Sequence, residues 1–379
     1  MRIGITCYPT YGGSGIVATE LGMELAARGH QIHFISYANP IRLAPDTPRI
    51  HYHEVEVSTY PLFQYPPYSL ALASRMAEVA EAAALDLLHV HYAIPHAISA
   101  LLARQMLQAQ GRRVPFVTTL HGTDITLVGS DRSYLPITRF SIEQSDGVTA
   151  ISRYLEERTR SVFSSSKPIR VIQNFVNCDL YRRSDDPAAR AVYAPPKQKI
   201  LVHLSNFRPV KRVLDAVRVF AAVRRELAAR LLMIGDGPDR SPAEHLAREL
   251  GVAEDVLFLG KQSGIPALLA IADLMLLPSE LEAFGLAALE AMACGVPAIA
   301  TRAGGVPELI TDGLDGLLAQ VGDIDAMAAG ALSLLGDPGR WAGFSAAARR
   351  TAETRFCSTR IIPEYEEYYR EVLAGSAAQ

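Results

Sequence analysis

The sequence contains very little lysine and carries almost no net charge. Of its 37 basic residues only five are lysines, and the first of these is Lys167. Basic and acidic side chains nearly balance, at 37 against 40, so the formal charge is −3. A chain of this kind has no broad positive field to hold nucleic acid or an anionic bilayer. Any anionic ligand must therefore be bound by a local group of donors.

Cysteine is also scarce, and long apolar runs are missing. The four cysteines, Cys7, Cys178, Cys294 and Cys357, are far apart and form no C-x-x-C or Cys/His cluster. This pattern predicts buried free thiols in a reducing cytoplasm, with no disulfide scaffold and no metal centre. The first residues lack a secretory signal, and no uncharged run approaches the roughly 18 apolar residues of a membrane span. We therefore expect a soluble cytoplasmic protein.

Short apolar runs alternate with helical patterns along the 379 residues, a length typical of about two domains. The predicted strands form two series, 3–7, 32–36, 87–90, 114–120 and 148–151, then 200–204, 231–234, 256–259, 274–277, 298–300 and 316–318. Apolar strands separated by helices are typical of parallel sheets buried on both faces. The predicted fold class is α/β, with two doubly wound, Rossmann-like domains.

The pattern changes between the two series. Residues 176–199 have weak periodicity, three prolines and a charged run, which indicates connecting surface structure. We place the hinge near 168–174, so that the first domain covers 1–170 and the second covers 171–357. A tyrosine-rich helix is predicted over 358–373. Ligands of such folds bind where the carboxyl ends of strands meet helix N-termini, in a cleft between two facing domains.

A glycine-rich loop follows the first predicted strand. Gly13, Ser14 and Gly15 open the first helix, and 13–18 fits the G-x-G-x-x-A pattern of dinucleotide-binding domains. Such domains need an acidic residue at the end of the second strand, but 35–37 reads Ile-Ser-Tyr. A nicotinamide-dependent dehydrogenase is therefore disfavoured. An anion held by free N–H groups of the helix N-terminus is preferred over a purely structural turn.

Polar side chains follow two further strands of the first domain. His121 comes directly after the apolar run 114–120, beside a flexible glycine and between threonines, which favours a functional role. Tyr92 ends another strand, where a phenol can contact a polar ligand. His89 and His91 share a face of that strand, but two histidines without further ligands at suitable spacing do not indicate a metal site.

The first strand-to-helix loop of the second domain concentrates positive charge. Residues 205–212 include Arg208, Lys211 and Arg212. Three cations beside a helix start favour phosphate binding over a solvated charged loop. A glycine turn at 235–238 follows the next strand and allows a flat ring or a phosphate to approach the backbone closely.

Two glutamates mark the most informative stretch, 278–297. Glu282 lies in a loop after an apolar strand, whereas Glu290, with seven residues between them, lies inside an otherwise apolar helix. An ionised carboxylate there is costly unless it meets hydroxyl groups or other donors. One carboxylate can hold sugar hydroxyls and the other ribose hydroxyls. The alternative is a capping Glu282 and a core Glu290 with a local partner.

The helix N-terminus between these glutamates is a candidate phosphate site. Phe284, Gly285 and Leu286 lie where the helix begins. Backbone N–H groups and the positive end of the helix dipole favour an anion at such a position. We therefore predict a pyrophosphate between the two carboxylates.

These features together resemble the retaining glycosyltransferases of family 4, which have the GT-B fold. The resemblance rests on the Glu-x7-Glu stretch, the Lys211 loop, the turn at 235–238, the loop at 12–15 and His121. It covers nearly the whole chain, and the motifs occur in the family's order. The resemblance also implies that the last helix, about 358–379, crosses back to the first domain.

The resemblance implies a role for each matching residue. Lys211 and a neighbouring cation hold the donor diphosphate, and His121 reaches the donor sugar from the first domain. Glu290 holds the ribose and Glu282 the sugar. Many family members have arginine five residues before the lysine.

This chain departs from that pattern at one position. It has Asn206 where the arginine is usual, so Arg208 is the candidate for the missing cation. Asn174, at the end of the hinge, is also included among the predicted substrate-binding residues.

The acceptor is predicted from further resemblances. Segments 3–9, 65–68, 91–96 and 118–124 resemble the family members that transfer N-acetylglucosamine from UDP-N-acetylglucosamine to the hydroxyl of L-malate, the first step of bacillithiol biosynthesis. The resemblance implies these two substrates and no cofactor or metal.

A dicarboxylate needs two anion-binding elements, because an unpaired buried carboxylate is costly. The glycine loop is predicted to bind one carboxylate of malate. Tyr92, Thr119 and an arginine, either Arg139 or Arg153, are predicted to bind the other.

Several alternatives stay open at this point. An inositol phosphate acceptor needs a strong phosphate clamp, which would depend on arginine alone since no lysine precedes Lys167. A sugar-nucleotide-binding protein without catalysis could have the same donor pocket. A membrane-docked lipid glycosyltransferase is disfavoured, because 58–72 contains no Lys or Arg. A homodimer is compatible with the sequence.

Overall fold

Parallel β-sheets form the centre of two separate units of the chain. The computed structural model describes residues 1–10, 12–44, 46–57, 62, 64–126, 128–129, 131–184 and 186–377. Unit 1 consists of Met1–Gln173 together with Ile361–Gln379, and unit 2 of Asn174–Arg360.

Unit 1 alternates strands and helices. Its strands are β1 (Arg2–Thr6), β2 (Gln31–Ser36), β3 (Ile50–Glu54), β4 (Leu87–His91), β5 (Phe116–Leu120), β6 (Gly147–Ala150) and β7 (Arg170–Val171). Its helices before the hinge are α1 (Gly13–Ala27), α2 (Tyr68–Ala82), α3 (Ile98–Ala109), α4 (Thr123–Thr126), α5 (Leu135–Gln144) and α6 (Arg153–Phe163), with a turn at Ala93–Ala97 before α3.

The strands of unit 1 form one sheet in the order β3-β2-β1-β4-β5-β6-β7. Every pairing is parallel. All residues of β4 and β5 are buried. Parallel strands covered on both faces are mostly apolar along their whole length, which is why the sequence pattern identifies them.

Two strands of unit 1 are missing from the sequence prediction. β3 is half-exposed at the edge of the sheet, and its sequence Ile-His-Tyr-His-Glu is not an apolar run. β7 has only two residues, Arg170 and Val171. Strands buried on both faces form apolar runs in the sequence, whereas a half-exposed edge strand or a strand of two residues does not.

Unit 2 repeats the alternation. Its strands are β8 (Lys199–Leu204), β9 (Ala229–Ile234), β10 (Val256–Gly260), β11 (Leu274–Leu277), β12 (Ala298–Thr301) and β13 (Gly316–Ala319). Its helices are α7 (Pro187–Ala191), α8 (Val213–Glu226), α9 (Arg240–Glu249), α10 (Ile265–Ala270), α11 (Leu286–Ala293), α12 (Val306–Leu309), α13 (Ile324–Leu335) and α14 (Pro338–Arg355), and α15 (Ser358–Ala377) leads back into unit 1.

The six strands of unit 2 lie in the order β10-β9-β8-β11-β12-β13, all parallel. In both sheets the strand order reverses beside the first strand, between β1 and β4 in unit 1 and between β8 and β11 in unit 2. Ligands of open α/β sheets bind at the carboxyl ends of strands at such a reversal. The prediction of two doubly wound, Rossmann-like α/β units is confirmed.

The C-terminal helix α15 packs on unit 1 from residue 361 onwards. Tyr365 and Tyr369 are fully buried, and Tyr369 Oη lies 2.7 Å from His89 Nδ1. Val148 donates its backbone N–H to Tyr368 Oη at 2.8 Å. The last segment of the chain is therefore part of the core of the first unit.

Glu366 anchors α15, and Glu366→Gln is expected to weaken unit 1. Arg28 donates two hydrogen bonds to this carboxylate, at 3.0 and 2.9 Å, and His30 Nε2 lies 2.8 Å from it. The Arg28 hydrogen bonds lower the pKa of Glu366 to about 2. The free energy of unfolding, measured by urea denaturation at pH 7, should fall by roughly 1–3 kcal/mol in the variant.

The contribution of Glu366 to the free energy of unfolding depends on pH. The pKa of Glu366 is depressed from the ordinary 4.5, so its contribution is complete above pH 4.5 and declines as the pH falls toward 2. Glu371→Gln is the matched control, because Glu371 pairs with Arg170 on the exposed side of the same helix and such pairs contribute about 0–1 kcal/mol. Equal urea midpoints for the two variants would contradict the anchoring role.

Neither a disulfide nor a bilayer-spanning helix occurs among the described residues. Cys7, Cys178 and Cys294 are buried free thiols, as predicted. Cys357 is only half-buried, which corrects the prediction of burial for all four. It lies at the junction between α14 and α15, where the chain leaves one helix before it enters the next.

Candidate active site

In unit 1, the loops after four neighbouring strands lie along one edge of the sheet. Because β1, β4, β5 and β6 are adjacent and parallel, their carboxyl ends share that edge. The glycine loop follows β1, Tyr92 follows β4, His121 follows β5, and Arg153 begins α6 after β6. The fold thus brings these separately predicted residues to one edge.

The glycine loop provides backbone donors at this edge. Helix α1 begins at Gly13, and its N-cap, Gly12, forms no side-chain capping hydrogen bond. The N–H groups of a first helical turn have no acceptor within the helix. Ser14 Oγ donates to Tyr92 Oη at 3.2 Å. A helix N-terminus with a hydroxyl beside it suits an anionic group.

Gly15→Ala is expected to be destabilising, whereas Gly13→Ala is the matched control. A Cβ at Gly15 would lie 2.4 Å from Tyr8 O and 2.7 Å from Thr10 O, which are backbone atoms that cannot rotate away. A Cβ at Gly13 would meet nothing within 4 Å. In urea denaturation Gly15→Ala should lose about 1–3 kcal/mol, and Gly13→Ala should unfold close to wild type. Two equal midpoints would mean that the loop yields to the added methyl group.

Two histidines are in direct contact at the ends of β4 and β5. His91 Nδ1 and His121 Nε2 are 2.7 Å apart, and the ring centroids are 5.0 Å apart. His91 is fully buried and His121 is 8% exposed. Burial lowers the pKa of His121 to about 3 and that of His91 well below its usual value. Both imidazoles are therefore neutral near pH 7.

Asp124 holds the loop that carries His121, and the sequence did not mark it as functional. Its Oδ1 accepts the backbone N–H groups of His121 and Gly122 at 3.2 and 2.9 Å, and its Oδ2 accepts that of Ala93 at 3.0 Å. Burial raises the pKa of this carboxyl to about 6 against the effect of these donors. The only available sequence signal is an Asp two residues after a strand-end glycine, a common turn pattern.

Tyr92 adopts an unusual backbone conformation, with φ of 95°. A non-glycine residue in such a conformation costs about 1–3 kcal/mol and is found most often at ligand sites. The centroid of its ring lies 5.4 Å from that of Tyr8 and 5.5 Å from that of His121. Its position beside Ser14 and His121 places it among the predicted ligand contacts.

Thr119 differs from the other predicted residues of unit 1 because its side chain is fully buried. Its Oγ1 lies 2.7 Å from His89 Nε2 and 2.6 Å from Thr149 Oγ1. The hydroxyl is therefore already hydrogen-bonded inside the sheet, and its contact with a ligand stays a prediction. Both candidate arginines are exposed, but Arg153 begins α6 at the carboxyl edge of the sheet, whereas Arg139 lies inside α5.

In unit 2, a lysine and a glutamate meet where the strand order reverses. Lys211 lies in the loop after β8, and Glu282 lies in the loop after β11. Lys211 Nζ donates to Glu282 Oε1 at 2.6 Å, and Ser279 Oγ donates to the same oxygen at 2.9 Å. The two charged side chains are 21% and 12% exposed. An ammonium and a carboxylate thus stand together, partly accessible, at the position where such folds bind ligands.

The positively charged loop is held against the loop after β9. Gly235 has φ of 125°, and a Cβ there would lie 1.8 Å from Ser205 O, so only glycine permits this contact. Asn206 Oδ1 is buried and has no hydrogen-bond partner among the described residues. Arg208 is exposed and precedes the short turn Pro209–Lys211. The predicted cationic contacts to the diphosphate, Arg208 and Lys211, therefore lie on one loop.

Glu290 has a partner within its own unit. Tyr181 Oη donates to Glu290 Oε1 at 2.6 Å, and the two residues are 2% and 4% exposed. The sequence predicts that Glu290 meets hydroxyl groups or other donors, and Tyr181 supplies one hydroxyl. Such a contact within the unit is what the alternative of a core Glu290 with a local partner requires, so ribose binding by Glu290 stays a prediction. Tyr181 lies in the segment 176–199, where no local signal distinguishes it.

The turn before α11 presents backbone, not side chain. Gly285 is the N-cap of α11 with φ of 98°, and Leu286 is the first helical residue. Phe284 is 2% exposed, and its ring packs against that of Phe356 at a centroid distance of 5.5 Å. Asn174 is also buried, and its Oδ1 has no hydrogen-bond partner among the described residues. Within the turn 284–286, the backbone N–H groups are therefore the donors suited to bind a phosphate.

Within the described part of the chain, no three His, Cys, Asp or Glu side chains are arranged to hold a metal ion. His89 is hydrogen-bonded to Tyr369 and Thr119, and His91 to His121. Both ring nitrogens of His89 and Nδ1 of His91 thus serve hydrogen bonds within unit 1.

Each of the two halves of the chain matches a glycosyltransferase family. The profile of Glycosyltransferase Family 4 matches residues 11–180, and that of Glycosyl transferases group 1 matches 185–351. The chain is 51% identical over 374 residues to N-acetyl-alpha-D-glucosaminyl L-malate synthase of Bacillus anthracis, covering 98% of this chain and 97% of that protein. It is 28% identical to D-inositol 3-phosphate glycosyltransferase of Thermobispora bispora, covering 96% and 90%.

Solved structures support the fold. The Anabaena protein Alr3699/HepE, determined in complex with UDP-glucose, is similar with a TM-score of 0.79 and 20% identity over 98% of this chain and 100% of that one. The fold is GT-B, as the resemblance implied. This chain is a glycosyltransferase and belongs to the family that contains the N-acetyl-alpha-D-glucosaminyl L-malate synthase of Bacillus anthracis.

Proposed function

We propose that this enzyme transfers N-acetylglucosamine from UDP-N-acetylglucosamine to the hydroxyl of L-malate, with retention of the anomeric configuration. The observation that carries the proposal is the 51% identity, over nearly the full length of both chains, to a synthase of that name. The chemistry of the residues in each unit is consistent with it.

Unit 2 is proposed to bind the donor. The ammonium of Lys211 has three N–H donors, of which one is directed to Glu282, so it can also bind diphosphate oxygens. Arg208 adds a second, exposed cation on the same loop. The N–H groups at Gly285 and Leu286 bind the pyrophosphate. Glu282 then accepts hydrogen bonds from the donor sugar.

The nucleoside part of the donor is assigned to buried polar groups of the same unit. Glu290 is proposed to accept hydrogen bonds from ribose hydroxyls, with its carboxylate oriented by Tyr181. The amides of Asn206 and Asn174, each with a buried oxygen that lacks a partner among the described residues, are proposed to complete the pocket. Buried polar atoms of this kind usually gain a partner when a ligand or water binds.

Unit 1 is proposed to bind the acceptor. The first turn of α1, with Ser14, offers donors for one malate carboxylate, and Tyr92 with Arg153 offers donors for the other. Arg153 is preferred to Arg139 because it stands at the carboxyl edge of the sheet. His121 is proposed to contact the donor sugar, as the family resemblance implies.

The reaction is proposed to need no protein nucleophile. The C1–O bond to the diphosphate breaks, the C1–O bond to malate forms on the same face, and the malate hydroxyl proton passes to the leaving phosphate oxygen. His121, with a pKa of about 3, is a poor proton acceptor near pH 7. Asp124 is 1% exposed and already accepts three backbone N–H groups.

The test is a product assay with the purified protein. UDP-N-acetylglucosamine is incubated with L-malate or with inositol 3-phosphate, and products are identified by mass spectrometry. The anomer is then assigned from the proton NMR coupling at C1. We expect an α-linked N-acetylglucosaminyl malate and no inositol product.

Each other result has a defined meaning. Transfer to inositol phosphate with malate untouched makes the acceptor assignment wrong and leaves the glycosyltransferase activity intact. Binding of UDP-N-acetylglucosamine without transfer to either acceptor contradicts the proposed reaction and favours a sugar-nucleotide-binding protein without catalysis. A β-linked product contradicts retention. The identities of 51% and 28% to the two named relatives favour malate.

A further inference from the structure

We propose that His91 is a positioning residue that holds His121 in the tautomer with its proton on Nδ1. In this arrangement His91 Nδ1–H donates to His121 Nε2, and the Nδ1–H of His121 is left to donate to a substrate oxygen. The catalytic consequence rests on the proposed function, whereas the tautomer itself does not.

One proton is shared between the facing nitrogens of His91 and His121. The two facing nitrogens are 2.7 Å apart, which is a hydrogen-bond distance. Burial keeps both rings in the neutral form near pH 7. A neutral imidazole has one N–H donor and one acceptor nitrogen. One ring must therefore donate and the other must accept, which leaves two possible arrangements.

The two arrangements differ at Nε2 of His91, the ring nitrogen that does not face His121. His91 Nε2 is buried and has no hydrogen-bond partner among the described residues. If His91 accepted from His121, its own proton would lie on this Nε2, as a buried N–H with nothing to donate to. Orphaned buried N–H groups are rarer in proteins than under-satisfied acceptors. The arrangement with the His91 proton on Nδ1 is therefore favoured.

The backbone of each histidine is held in place. His91 is the last residue of β4 and His121 directly follows β5, its parallel neighbour. The backbone N–H of His121 is held by Asp124, and His96 Nδ1 contacts the backbone oxygen of His91. Both residues are thus fixed at their backbones, and the two ring planes are inclined to each other by 28°, with the facing nitrogens 2.7 Å apart.

The proposal also requires a ring nitrogen of His121 that can contact a substrate. His121 is 8% exposed, and its Nε2 is taken by the contact with His91. The substrate contact is therefore assigned to the other ring nitrogen, Nδ1. A neutral N–H donor at that point can bind a sugar hydroxyl oxygen without introducing a charge.

The proposal is tested by ¹⁵N NMR of the histidine side chains at pH 7.5, with His121 assigned from a His121→Asn spectrum. The ring-nitrogen shifts distinguish protonated from unprotonated nitrogens without any substrate. We expect a single His121 tautomer in the wild type, protonated on Nδ1. His91→Leu removes the donor and should give a mixture of tautomers, whereas His91→Asn, whose amide nitrogen lies near the Nδ1 position, should restore the single form.

Activity provides the second readout. In the transfer assay, kcat of His91→Leu should fall roughly 10- to 100-fold, with recovery in His91→Asn and little change in KM for the donor. A wild-type His121 protonated on Nε2, or an unchanged tautomer in His91→Leu, overturns the proposal. If His91→Leu does not fold, the wild-type and His91→Asn spectra decide. Absence of malate transfer affects only the proposed function, because the tautomer is measured on the free protein.

Discussion

Replacing Lys211 with alanine is expected to lower kcat/KM of the transfer reaction by roughly 10²–10³, about the loss expected from one preorganised electrostatic contact. Negative charge develops on the diphosphate as the sugar leaves, so a cation beside it stabilises the transition state more than the ground state. Lys211 lies at the strand reversal of unit 2, held by Glu282 at 2.6 Å. The ammonium is therefore oriented before the donor binds.

The division between kcat and KM reports how Lys211 acts. Stabilisation of the leaving group alone lowers kcat and leaves KM for UDP-N-acetylglucosamine almost unchanged, whereas ground-state binding alone raises KM. Initial rates of UDP release at varied donor concentration separate the two.

Lys197→Ala is the matched control for this variant. Lys197 is an exposed lysine of the same unit, so its removal changes the net charge equally and should leave the rate constants at their wild-type values. Wild-type turnover in Lys211→Ala would remove this residue from the mechanism.

We expect the free energy of unfolding to fall strongly in mild acid. Six histidines are buried, His33, His89, His91, His96 and His121 in unit 1 and His203 in unit 2. Burial lowers the pKa to about 4 for His33, His96 and His203 and to about 3 for His89 and His121. In the unfolded chain these groups have the ordinary pKa of about 6.5.

The sign of the effect follows from these values. Each pKa is depressed in the folded state, so each histidine contributes stability above pH 6.5 that is lost as the pH falls toward its folded pKa. At pH 5, protonation of each such histidine stabilises the unfolded state relative to the folded state by about 2 kcal/mol more than at neutral pH. Several such groups together approach the total stability of a domain, about 5–15 kcal/mol. Two carboxyl groups oppose this trend: burial raises the pKa of Asp124 to about 6 and also raises the pKa of Asp315.

We therefore expect the urea midpoint to fall steeply between pH 7 and pH 5, with unit 1 unfolding first. Circular dichroism against urea at several pH values measures the midpoint, and hydrogen exchange locates the unit that opens. His33→Gln should make the pH dependence shallower, because it removes one titrating group. His245→Gln is the control, since His245 has a side chain that is 68% exposed. A midpoint that is constant from pH 7 to pH 5 contradicts the prediction.

Much of the candidate site was predictable because its residues follow strand ends. Each of Lys211, Glu282 and His121 comes directly after or shortly after an apolar run, and a parallel sheet places all such positions at one edge. Thr119 shows the limit of this reasoning. It is the fourth of five residues in β5, so its side chain points into the protein and its hydroxyl bonds to His89 and Thr149.

The sequence by itself determined the α/β class, the two units and the strand-end positions of the catalytic candidates, because apolar periodicity is a local property of the chain. Only the tertiary structure decided which polar groups meet. The Tyr181–Glu290 bond joins residues 109 apart, and the Arg28–Glu366 pair joins residues 338 apart. Strand order and helix packing determine which residues come into contact over such distances in sequence. A local pattern of residues does not predict either of them. The contact between His91 and His121 likewise depends on β4 lying beside β5.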